Sequence, residues 1–174
     1  MFQSINNKVV MHDHYFRIAS NNLKKAVEKN TEVKGNGNSL KRAIEYGLKQ
    51  DELLVATMFY YLTLESFINF YANFKDIRKH NKPTVSKWTD YPLENCGKSI
   101  DKNILERLKE FNTVRNNLVH YKVKEVGKNP FEEHTLSALK VKEYEQLVVD
   151  LVSELCDIDE EMASSHSIKK TEMA

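Results

Sequence analysis

The stretch "DELLVATMFYYLTLESFINFYANFKDIRKH", residues 51–80, constrains the fold more than any other part of the chain. Projected at about 100° per residue it is apolar almost all round, as a helix buried on most sides must be, whereas a half-buried helix shows a single apolar stripe. Such a helix needs others around it. The expected fold is therefore all-α, a bundle of four to five helices with this one at the centre. Its polar exceptions, Glu65, Asn69 and Asn73, lie four residues apart and form one polar line that calls for partners on a neighbouring helix.

The rest of the chain supplies those neighbours. Between Val9 and Val27 apolar residues recur at spacings of three and four, and "VKGNGNS" then breaks the pattern with turn-forming glycine and asparagine. "SLKRAIEYGLKQ" reads as a short helix that either runs on or bends into the central one. "NKPTVSKWTDYPLENCGKS" holds Pro83, Pro92, Gly97 and Trp88, and its breakers predict a long loop. Asp101 is placed to cap the next helix, "KNILERLKEFNTVRNNLVHYKV", which "GKNP" stops. Val141, Tyr144, Val148, Leu151, Leu155, Ile158 and Met162 form the stripe of a last helix. The expected organisation is one helical domain over residues 1–162 and a polar tail over 163–174.

Composition narrows the function. In 174 residues, 26 Lys and Arg offset 25 Asp and Glu, so no overall basic field draws the protein to nucleic acid and any such contact must be local. Cys96 and Cys156 lie far apart, with no CxxC spacing, and are expected to be free thiols in a reducing cytoplasm. No run of about 18 uninterrupted apolar residues suggests a membrane span. In "HDH", His12 and His14 are two apart and do not share a helix face, so no metal is expected there. Trp88 with Lys82 and Lys87 is expected to pack on the bundle rather than to contact RNA, and the aromatic run from Phe59 to Phe74 is expected to be core and interface.

One helix breaks its own pattern. With Ile104 at zero, Arg115 falls at about 20°, inside the apolar arc of Leu108, Phe111, Val114, Leu118 and Val119, while Asn116 and His120 fall at about 120° and 160°. An unpaired guanidinium in an interior costs several kcal/mol, so Arg115 needs compensation. Two solutions are open. Either Glu65 on the central helix pairs with it, or this face is a cleft, such as one between two subunits, where Arg115 meets an anion.

"RNNLVH", residues 115–120, resembles the R-x4-6-H motif of the HEPN superfamily, including the asparagine directly after the arginine. "LESFINFYA" is similar to the first core helix of many members, which carry an acidic or polar residue where Glu65 stands. The resemblance covers roughly residues 51–162. It implies an up-down helical bundle, a homodimer, and a metal-independent endoribonuclease of toxin–antitoxin or antiviral defence systems, restrained by a protein partner such as an antitoxin and needing no cofactor. It places Arg115, Asn116, His120 and Glu65 in the catalytic site. The chemistry of those residue types agrees: histidine can take the proton of an RNA 2′-hydroxyl near neutral pH, and the forked, permanently charged arginine can hold phosphate oxygens. Asn116 could orient the His120 ring or donate to the phosphate, and Glu65 would hold Arg115. Members regulated by tyrosine modification often carry that tyrosine two positions after the histidine. Here Lys122 stands there and Tyr121 directly follows His120, so the sequence departs from that pattern. From other classes, the alternatives are a catalytically silent HEPN-like dimerisation or binding module and a helical antitoxin or adaptor.

Overall fold

A computed structural model describes residues 11–32, 39–77, 81–119 and 136–165. All six regular elements among them are helices: α1 (Met11–Glu32), α2 (Ser39–Phe74), α3 (Thr84–Cys96), α4 (Lys102–Val119), α5 (Ala138–Ile158) and α6 (Glu160–Ser165). The protein is an all-α bundle. The glycine-rich break before α2 and His120, Tyr121 and Lys122 after α4 lie outside the described residues.

α2 is the central helix, in contact with α1, α3, α4 and α5, and α1 runs along it most extensively. Its 36 residues form one continuous helix of about 54 Å, so "SLKRAIEYGLKQ" runs on rather than bending away. The segment Gly47–Phe74 is long and apolar enough to cross a membrane. In this bundle Tyr60, Leu64, Phe67, Ile68 and Tyr71 of that segment are buried against the other helices. Burying each such side chain contributes about 1.5–3 kcal/mol.

The expected loop around Trp88 is instead helix α3. Pro83 stands just ahead of the first turn, where a missing N–H is no loss, and Gly97 ends the helix at φ 66° with its N–H on the Leu93 carbonyl, 3.0 Å away. Pro92 inside the helix forgoes one hydrogen bond. Thr84, Trp88, Tyr91 and Pro92 nevertheless share one buried face, and that burial outweighs the lost bond. The indole stacks on Phe67 with centroids 6.1 Å apart and donates to the Leu64 carbonyl at 3.3 Å, so the tryptophan does pack on the bundle, from a helix.

The helix starts follow their capping residues. Asp101 accepts from the N–H groups of Asn103 and Ile104 at the head of α4, and Ser137 accepts from Lys140 at the head of α5. The predicted last stripe is buried from Val141 to Leu155, but the helix breaks at Asp159, which caps α6 through the Met162 N–H at 3.1 Å. Ala163–Ser165, expected in the tail, belong to α6.

Candidate functional site

The site is built where α4 leaves the core. Leu108 and Phe111 are fully buried, but Val114, Arg115, Asn116 and Leu118 are half-buried and Val119 is 45% exposed. A helix that emerges in its last two turns carries its inward-facing residues to an edge, and Arg115 is one of them.

Glu65 does not pair with Arg115 as expected: no ion pair joins the two among the described residues. Arg115 rests instead on the face of Tyr61, one turn before Glu65 on α2, with its Cζ 5.1 Å from the ring centroid. Its Nη1 donates to Asn116 Oδ1 at 3.0 Å, and its Nε is buried without a hydrogen-bond partner among the described residues. The ring stands where a carboxylate was expected, and it meets the cation through its quadrupole. Glu65 is half-buried beside the same tyrosine.

Tyr61 is the hub. Its hydroxyl donates to Asn112 Oδ1 at 2.5 Å, and Asn112 lies three and four residues before Arg115 and Asn116, on one face of α4. Burial pushes the Tyr61 phenol above its ordinary range, with Glu65 adding to the effect and Thr84 and Arg115 opposing it. The ring is anchored from behind by an edge-on contact with Phe111 at 5.5 Å, and Phe111 stacks on Tyr144 of α5 at 4.0 Å. Tyr61 and Asn112 were missed in the sequence. The signals available were their helical spacings, Tyr61 four before Glu65 and Asn112 four before Asn116.

The polar line on α2 finds its partner on α3. Asn69 Oδ1 accepts from Lys87 Nζ at 2.8 Å, and Lys82 pairs with Asp90 and Glu94 at 2.8 and 3.2 Å. Asn73, next along the line, is exposed.

A second polar centre was not anticipated. The ends of α2 and α3 meet the junction of α5 and α6 around buried Asp159, whose Oδ2 accepts from Lys75 at 2.9 Å, Tyr71 at 3.1 Å and Cys96 Sγ at 3.4 Å. Lys75 also pairs with Glu161 at 2.6 Å. Burial alone would raise the Asp159 carboxyl, but the bonds from Lys75, Met162 N–H, Cys96 and Tyr71 hold it below the usual carboxylate range. Desolvation likewise opposes the Lys75 ammonium, and its bonds to Glu161 and Asp159 raise it.

The histidines of "HDH" part company. His12 is buried edge-on against Phe67 and Phe70, at 4.8 and 5.4 Å, while His14 Nδ1 accepts from Arg17. Among the described residues no group of three His, Cys, Asp or Glu side chains is placed to hold a metal ion. Cys96 and Cys156 are free thiols. Comparison with protein-family models, curated proteins and solved structures finds no match to this chain.

Proposed function

We propose that the protein is a metal-independent endoribonuclease that cleaves RNA through its own 2′-hydroxyl. The observation that carries this reading is Arg115: a partly buried guanidinium held by a ring and an amide, with no carboxylate among the described residues to neutralise it. A purely structural arginine at this depth would be matched with an acid, as Lys75 is. Left unmatched among the described residues, Arg115 keeps its charge for an anion, and a phosphodiester suits its forked geometry.

In this mechanism His120 takes the proton from the 2′-hydroxyl, and the 2′-oxygen forms a bond to phosphorus. Arg115 stabilises the charge gathering on the phosphoryl oxygens. Asn116 Oδ1 is engaged by Arg115, so its amide N–H groups face the phosphate role. The P–O5′ bond breaks, the leaving oxygen takes a proton from water, the proton on His120 returns to solvent, and the products are a 2′,3′-cyclic phosphate and a 5′-hydroxyl. Glu65 acts beside Tyr61 rather than on the guanidinium.

Five residues along an ideal α-helix span about 7.5 Å and turn through about 140°, which separates an arginine and a histidine at that spacing, so the mechanism uses a two-fold dimer that lines one cleft with both copies. Half-exposed Val55, Met58 and Leu62, next to Glu65 on α2, supply an apolar stripe for that contact. The reading extends to a cytoplasmic toxin or antiviral effector restrained by a protein partner.

The test is cleavage of a labelled RNA pool in EDTA by wild type and His120→Ala, after both are shown to be folded dimers. Cyclic-phosphate ends from wild type alone are the expected result. Cleavage by neither, across a broad substrate set and with bound inhibitor removed, would sink the nuclease reading in favour of a silent binding module.

A further inference from the structure

We infer that Tyr61 is the positioning residue of the Arg115 site, an aromatic floor that aims the guanidinium at a bound phosphodiester while leaving its charge unneutralised. The inference rests on the nuclease reading for its substrate class and on geometry for everything else. A guanidinium half out of water has several rotamers open to it, and an anion site works only if one is held in advance. A carboxylate would hold it by cancelling the charge that the anion needs. A ring holds it without doing so.

Three features make Tyr61 suited to that task. Its face lies 5.1 Å from Arg115 Cζ. Its hydroxyl fixes Asn112, one turn before Arg115, so the same side chain sets both the cation and the stretch of α4 that carries it. Its ring is braced by Phe111, itself stacked on Tyr144, so the floor is continuous with the core. Glu65 sits near the phenol rather than at the cation, which places a negative charge within range without an ion pair.

The experiment uses the full chain and an uncleavable 2′-O-methyl RNA oligonucleotide. Side-chain NMR of Arg115 reads the floor directly, because protons over an aromatic face are shifted upfield. In wild type and Tyr61→Phe, which keeps the ring but releases Asn112, the Arg115 Hδ protons should lie upfield, and Tyr61→Phe should bind the oligonucleotide more weakly than wild type but more tightly than a ringless variant. In Tyr61→Leu the upfield shift should vanish and binding should weaken about five- to tenfold, the range of a partly desolvated cation–π contact. Tyr61→Met replaces the leucine variant if the latter fails to fold. The shift reports the contact and the affinity reports its use: a merely structural tyrosine would lose the upfield shift with its ring but leave the affinity of a folded variant unchanged.

Absence of the upfield shift in wild type, or unchanged affinity in the folded ringless variant, would overturn the inference. Binding that depends on the Tyr61 ring, without cleavage of unmodified RNA by wild type, would keep the inference and remove the nuclease. Equal cleavage by wild type and the ringless variant would do the reverse, and failure of wild type to bind the oligonucleotide would overturn both.

Discussion

Asp159 and Arg115 are both charged groups drawn out of water where helices meet, and the protein treats them in opposite ways. Asp159 is surrounded by donors: an ammonium, a phenol, a thiol and a backbone N–H all reach it. Arg115 receives one amide oxygen and the face of a ring. A fully satisfied charge ties α2, α3, α5 and α6 together and has nothing left to offer a ligand. A partly satisfied one contributes little to the fold and keeps its field for something else. The contrast sets a charge spent on the fold, Asp159, beside the charge that the proposed function uses, Arg115.

The largest effect should come from Arg115→Ala. RNA cleavage should fall by roughly 100- to 1,000-fold, as for other losses of transition-state charge stabilisation, while stability changes by less than about 1 kcal/mol. Urea unfolding beside single-turnover cleavage checks both, and a collapse of stability would return Arg115 to a structural role.

Asp159→Ala should show the inverse pattern. Removing the acceptor strands Lys75 with Glu161 alone and uncaps α6, a loss of about 3 kcal/mol, with cleavage per folded molecule unchanged. Urea midpoints and active-site titration distinguish the two.

The same pair should leave a signature in acid. The folded Asp159 carboxyl titrates below its unfolded value, so its contribution is complete above about pH 4 and is lost as pH falls towards the depressed folded value. Wild type and Asp159→Asn should therefore differ in urea midpoint at neutral pH and converge below about pH 4. A constant gap through that range would mean that the carboxylate charge is not what holds the junction.

The smallest effect should be Glu65→Gln. Had Glu65 been the counter-ion of Arg115, removing its charge would cost several kcal/mol. With the ring in that place, stability should move by only about 0.5 kcal/mol. A double-mutant cycle of Glu65→Gln with Arg115→Gln should show coupling near zero, and a large coupling would restore the ion pair.

What the sequence determined on its own was periodicity. The all-round apolar stretch made α2 the central helix, Asp101 marked the head of α4, and the Val141–Leu155 stripe marked α5, because each depends on neighbours within a few residues along one chain segment. The inward aim of Arg115 was legible for the same reason. Tertiary structure alone decided what met it there. Whether Glu65 or Tyr61 faces the guanidinium depends on how α2 is rotated and shifted against α4. A choice between side chains one turn apart leaves no trace in the spacing of either helix. The Trp88 helix was hidden by the same locality. Proline and glycine punctuation argued for a loop, and only burial of Trp88, Tyr91 and Pro92 against the bundle made the helix the stable answer. The Asp159 centre gathers residues from three distant stretches of the chain, so no window of sequence contains it.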